Sequence, residues 1–258
     1  MSAVAGRGPA AGGASSDGRR PWILALDTAT SRVVVAAASI APSSVLLGVT
    51  TWTAGRTHGE QLLPAIGRLH GEANLRRSRI RGVIVGTGPG AFTGLRVGLA
   101  TAKALAHELA VPIVGVSTAE GLLRAAAADA RERPATGGGS RIDGEPAPLV
   151  LLMPAGPNDV HLVRPGASAI LVPGGVEPPI ESGEMVVAVD LDGRASADAV
   201  ERGERARDGL AAALVAIGAP RLAAGDEDDL ARLVPEYVTL PRGVRAETGE
   251  VAWSRDPR

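Results

Sequence analysis

The chain has 258 residues, 45% hydrophobic and 21% charged, which describes a folded protein of one large or two small domains and excludes disorder throughout. Its 27 basic and 28 acidic side chains leave a formal net charge of −1, so no global field attracts a polyanion, and any contact with nucleic acid is expected to be local or made by a partner. The absence of cysteine excludes disulfides and thiolate chemistry, and a 2% aromatic content leaves little for a base-stacking surface.

Residues 1–21 are mostly Gly, Ala, Ser and Arg and read as a disordered N-terminal tail. Arg19-Arg20 precede an apolar run, Trp22 to Leu26, that stops at Asp27 and is too short for a signal peptide. Nothing approaches the roughly 18 consecutive apolar residues of a membrane span, so a cytoplasmic location without membrane contact is expected. Trp22–Asp27 reads as a buried strand, Thr28–Ser31 as a turn, and Val33–Ser39 and Val45–Trp52 as two more strands of an antiparallel meander. A helix opens at Thr57, with Thr57 and Glu60 as a capping box and Leu62, Leu63, Ile66 and Leu69 on one face. Val83–Thr87 is the next strand, and Phe92–Leu109 a helix in which Gly94, Gly98, Ala102 and Ala106 recur every fourth position. Val111–Val116 is a strand, after which Ser117 caps an alanine-rich helix. The order βββαβαβα predicts a first lobe over 22–130 whose later strands pair in parallel through right-handed crossovers.

Prolines, three consecutive glycines and scattered charges mark 131–148 as a flexible linker or loop. A smaller lobe over 149–240 is predicted, with strands at Leu149–Met153, Val160–Arg164, Ala169–Val172 and Met185–Asp190. Helices are expected at Ala206–Ile217 and Asp226–Leu233, and 241–258 reads as a C-terminal tail.

The turn at Gly88-Pro89-Gly90 lacks the Gly-Lys-Ser/Thr of a Walker A loop, and the sixth residue from Gly88 is Thr93, not the glycine of a Rossmann fingerprint. His58, His70, His107 and His161 form no His-Glu-x-x-His pair, so no metal site is assigned, and with Gly-x-Ser-x-Gly also absent no catalytic residue is assigned. Two readings stay open for Asp27, Thr28, Gly88 and Gly90. They line a phosphate-binding turn, with Asp27 orienting a hydrated cation and the turn amides receiving an anion. Alternatively, Asp27 ends a strand and the glycines make a tight turn. Ala29, standing where a glycine would allow the closest backbone approach, weighs against the first reading.

The segments Ile23-Leu24-Ala25-Leu26-Asp27-Thr28-Ala29-Thr30, Thr57-His58-Gly59-Glu60-Gln61-Leu62-Leu63-Pro64, Gly88 to Gly98 and Pro112 to Thr118 resemble the TsaB family, also called YeaZ, of the actin-like ATPase superfamily. The likeness runs from Trp22 to about Leu123, with an echo at Pro235-Glu236-Tyr237-Val238. It implies an α/β fold of ASKHA, RNase H-like architecture: two lobes, each a mixed central sheet flanked by helices. It implies a non-catalytic scaffold or activator in adding threonylcarbamoyl to the tRNA adenosine beside the anticodon, with a TsaD-type catalytic subunit and a TsaE-type ATPase as partners. A homodimer through the same helices is a further implication, and tRNA is reached through the complex. No cofactor is expected to be held firmly, ATP and Mg entering only in the assembled complex. The metal-binding His-x-x-x-His of the catalytic relative is missing here. The second lobe departs from the family at Met153 to His161, where its Asp-Ala-Arg and Glu-Val-Tyr segments are expected.

Glycines in a helix cost stability unless something packs on them. Leu62, Leu63, Ile66 and Leu69 with Gly94, Gly98, Ala102 and Ala106 are therefore expected to form the partner interface, and Gly98→Leu to block it while leaving the monomer folded. The alternative reading is an actin-like ATPase or kinase using Asp27 and Thr28 at the phosphates.

Overall fold

A computed structural model describes residues 20–40, 44–53, 58–132, 141–142 and 145–236. The two expected tails apart from residues 20–21, the Thr57 cap, most of the 131–148 connection and Tyr237-Val238 lie outside them.

The first half of the chain folds in the expected order. Strands β1 (Trp22–Asp27), β2 (Arg32–Ser39) and β3 (Leu46–Thr53) form the meander, followed by α1 (His58–Glu72) and a 3-10 turn at Arg77–Arg79. Then come β4 (Ile80–Gly86), α2 (Phe92–Leu109), β5 (Ile113–Val116) and α3 (Thr118–Glu132). The sheet order is β3-β2-β1-β4-β5, antiparallel on the meander side and parallel from β1 through β4 to β5. Every residue of β1 is buried because the sheet is covered on both faces. Alternation sends Trp22, Leu24 and Leu26 to a layer with Leu62, Leu69 and Leu99 of α1 and α2, and Ile23 and Ala25 to a layer with Leu122 of α3.

Two-residue strands β6 (Arg141–Ile142) and β7 (Glu145–Pro146) pair within the connection. The second sheet comprises β8 (Leu149–Pro154), β9 (Val160–Val163), β10 (Ile170–Val172) and β11 (Met185–Ala188), in the order β10-β9-β8-β11. Its pairing repeats that of β3-β2-β1-β4, with two antiparallel ladders and one parallel neighbour. The crossover from β10 to β11 carries no helix. Arg164 pins it instead, donating through Nε and Nη2 to both oxygens of Glu184 at 2.6 and 2.9 Å and through Nη2 to the Pro179 carbonyl at 2.7 Å.

The last helix, α4 (Ala197–Ala223), is much longer than the Ala206–Ile217 expected. Its first half shows charges rather than an apolar stripe, and small residues do the packing: a Cβ on Gly203 would lie 1.8 Å from the Ala188 carbonyl oxygen. Leu210 and Leu214 share one buried cluster with Ile23, Ile84 and Val114 of the first sheet and Leu149, Leu151 and Val187 of the second, so α3 and α4 fill the space between the sheets.

Residues 226–233 are not the helix expected. Their polar groups go to the otherwise open edge of β5. The amide of Asp228 donates to the Ile113 carbonyl at 2.8 Å, its carboxylate accepts from the Gly115 amide at 2.7 Å, and Arg221 donates to the Gly115 carbonyl at 2.8 Å.

Candidate functional site

Asp27, at the end of β1, has no exposed surface. One carboxylate oxygen accepts from the Ala29 amide at 2.8 Å and the other from the Thr118 hydroxyl at 2.6 Å. Thr118 in turn accepts from the Gly88 amide at 3.1 Å, while its own amide donates to the Gly88 carbonyl at 2.7 Å. The end of β1, the turn after β4 and the first residue of α3 are thus tied at one buried point. Packing there is close enough that a Cβ on Gly86 would fall 1.7 Å from the Asp27 carboxylate. Burial pushes the Asp27 carboxyl above the usual carboxylate range, against the opposing pull of the hydrogen bonds from Thr118 and Ala29.

The other residues of the expected phosphate turn are also engaged internally. The Thr28 hydroxyl, 2% exposed, donates to the Gly94 carbonyl at 2.7 Å. Gly90 packs on Ala29, whose carbonyl accepts from the Ala91 amide at 2.7 Å, and Gly88 adopts a φ of +107° against Leu95. The turn reads as Asp27 ending a strand and the glycines making a tight connection.

The glycine stripe of α2 faces inward, which corrects the interface expectation for Gly94, Gly98, Ala102 and Ala106. All four are buried. A Cβ on Gly94 would lie 2.1 Å from the Thr28 carbonyl oxygen, and one on Gly98 would lie 2.1 Å from the Thr28 hydroxyl. The backbone that lies on the stripe is the chain's own turn after β1. The α1 residues divide in the same way: Leu62 and Leu69 are buried against the first sheet, Ile66 is half-buried, and only Leu63, at 56%, is exposed.

The outward faces of α1 and α2 carry small residues that the sequence pattern did not single out. On α1, Gly67 and Gly71 are exposed at four-residue spacing from Leu63, and a Cβ on either would meet nothing within 4 Å. On α2, Ala100 and Ala104 are exposed, and the Arg96 guanidinium stacks 3.8 Å over the exposed Phe92 ring. The signal was present as Leu63-x-x-x-Gly67-x-x-x-Gly71, but the apolar periodicity of α1 directs attention to the opposite face.

Elsewhere, Asp190, at a φ of +56°, accepts from the amide and hydroxyl of Ser31 and from Arg207, while Arg32 pairs with Glu204 and Asp208. This network fastens the turn before β2 to α4 and to the end of β11. A cavity of about 580 Å³ under the terminal segment, lined by Thr87, Arg221, Asp228 and Glu236, contains none of the predicted site residues. Among the described residues, no three His, Asp or Glu side chains converge as metal ligands would. No described helix is long and apolar enough to cross a membrane.

Two measurements test this geometry. Gly98→Ala is expected to destabilise the isolated protein by about 2 kcal/mol or more through overpacking on Thr28, and Gly98→Leu to prevent folding, both read by thermal melting. Asp27→Asn retains the acceptor for Ala29 but does not ionise. Folded Asp27 holds its proton more tightly than the unfolded chain, so its ionisation costs stability as pH rises from the ordinary carboxylate range through the raised value. The melting temperature of Asp27→Asn relative to the parent should therefore climb as pH rises above the ordinary carboxylate range, by roughly 1.4 kcal/mol of stability per unit of upward shift; a flat or falling difference contradicts the assignment.

The model of the family described as TsaD, tRNA N6-adenosine threonylcarbamoyltransferase, matches residues 34–167. An uncharacterized protein of Mycobacterium tuberculosis H37Rv is 38% identical over 100 residues, covering 39% of this chain and 47% of that protein. The tRNA threonylcarbamoyladenosine biosynthesis protein TsaB of Bacillus subtilis is 32% identical over 100 residues, covering 39% of this chain and 42% of that protein. The chain thus spans less than half the length of these curated relatives. The solved structure of YeaZ from Pseudomonas aeruginosa superposes with a TM-score of 0.59 at 22% identity, over 84% of this chain and all of that one, which shows the shared actin-like, RNase H-like fold. Because the family model covers just over half of the residues, the chain belongs to this threonylcarbamoyltransferase family, on its TsaB (YeaZ) side.

Proposed function

We propose that the chain is a non-catalytic scaffold and activator subunit in the biosynthesis of threonylcarbamoyladenosine on tRNA, docking a TsaD-type catalytic subunit on the outer face of α1 and α2. The observation that carries this reading is the open pair Gly67 and Gly71. Glycine in an exposed helix interior, as at Gly67, costs about 1 kcal/mol against alanine; Gly71 lies in the last turn of α1, and nothing in the described chain packs on either. A neighbouring helix gains close backbone approach along them, and Leu63 on α1 and the Phe92–Arg96 stack on α2 are exposed as well. A TsaD-type partner is supported by the likeness to the TsaD family model and to proteins named TsaB, and a TsaE-type ATPase joins the same assembly. In its absence, two copies of this chain pair through the same face as a homodimer.

The internal use of Asp27 and Thr28 weighs against an ATPase or kinase built on them. On this reading the free chain holds no nucleotide, ATP and Mg belong to the assembled complex, tRNA is modified by the catalytic subunit, and the complex works in the cytoplasm.

Gly67→Leu separates docking from folding. The variant should melt at or above the parent's temperature, because leucine is the better helix former, yet bind the TsaD-type subunit at least about tenfold more weakly, a loss of about 1.4 kcal/mol. Reconstituted tRNA modification should fall in parallel. Unchanged affinity removes α1 from the interface, and modification that proceeds equally well without the chain removes the activator role.

A further inference from the structure

Arginines Arg32, Arg164, Arg205, Arg207, Arg221 and Arg232 each lie within ion-pair distance of an acid. Arg68, Arg124, Arg131, Arg194 and Arg202 lack such a partner among the described residues as well, so density is what sets the stretch Arg76-Arg77-Ser78-Arg79-Ile80-Arg81 apart. Four guanidinium groups fall within six residues, and among the described residues none of them has an acidic partner. Arg76, Arg77 and Arg81 are exposed and Arg79 is half-buried. Arg20, also exposed, stands at the same end of the sheet, since Trp22 pairs with Ile80.

The presentation is rigid. Leu75 and Ile80 anchor the segment in the core, the Trp22 ring nitrogen donates to the Arg76 carbonyl at 2.9 Å, and the Arg79 amide closes the 3-10 turn on the same carbonyl at 2.8 Å. Arg81 spans the turn by donating to the Ser78 and Ile80 carbonyls. Five like charges held on ordered backbone form a strong local field on a nearly neutral chain.

The chemistry selects the partner. Guanidinium groups match phosphate oxygens in planar, bidentate geometry. The stretch contains no aromatic residue to stack on unpaired bases and, among its described residues, no exposed large apolar side chain to enter a bilayer. We propose that the Arg76–Arg81 turn, together with Arg20, is a docking surface for the phosphate backbone of structured RNA, contacted without sequence readout. Given the function proposed above, on which the identity of the RNA rests, that RNA is the substrate tRNA, and the chain then contributes to holding it as well as to activating the catalytic subunit.

The test is titration of an unmodified tRNA transcript with the full chain, read by fluorescence anisotropy at several salt concentrations, against the triple variant Arg76→Gln, Arg77→Gln, Arg81→Gln. The parent should lose about a hundredfold in affinity between about 50 and 200 mM salt, as for some four phosphate contacts, and the variant's log–log salt slope should be shallower by nearly one per arginine removed. An unchanged melting temperature shows that the variant is folded. A duplex RNA of unrelated sequence should bind comparably. Equal affinities and slopes for parent and variant overturn the proposal, as does binding only to phosphatidylserine vesicles. Neither result touches the activator role, which rests on reconstitution with and without the chain and fails separately.

Discussion

A carboxylate without exposed surface joins three elements that are distant in sequence: the end of β1, the turn after β4 and the start of α3. Isolating a charged group from water is expensive, and it is tolerated only where donors converge on it. The Ala29 amide and the Thr118 hydroxyl do so here, and Gly86 at the end of β4 leaves room for the carboxylate and the hydroxyl. The Ala29 amide and the Thr118 hydroxyl serve the chain's own carboxylate, so the turn that looks most like a nucleotide loop ties three elements together.

From that fastening the division of the glycines follows. α2 must lie directly on the turn after β1, and Gly94 and Gly98 allow it to. With α2 held there, α1 packs beside it through Leu62 and Leu69, leaving the opposite sides of both helices outward. Gly67 and Gly71 on that outer side are not explained by any contact within the described chain. Two glycine spacings of the same length therefore differ in what they meet: one receives the chain's own backbone, and the other lies open, which is where the proposed docking places the partner.

The first lobe was largely legible because its elements obey simple periods. The buried strand Trp22–Asp27, the meander and the helix Phe92–Leu109 all appear where patterning places them. The second half was less legible for physical reasons. α4 packs its first turns through Ala199, Gly203 and Ala206, so burial there leaves no apolar stripe to read. Residues 226–233 have helical-looking spacing, but the open edge of β5 offers their polar groups better partners than a short helix would. At the site, the small-residue stripe was visible while its direction was not, because spacing places residues on one face of a helix without saying what that face meets. Deciding that required Thr28, whose distance in sequence from Gly94 and Gly98 hides the contact until the fold is known.

The central claim is that this chain works by presenting the outer face of α1 and α2 to a catalytic subunit. Amide hydrogen exchange, followed on the full chain alone and after addition of a TsaD-type subunit, tests it most directly. Slowed exchange along α1 from Leu63 to Glu72 and along the first half of α2, with the second sheet unchanged, is the predicted result. Protection confined to β8–β11, or no change on either helix of a complex that demonstrably forms, would contradict it.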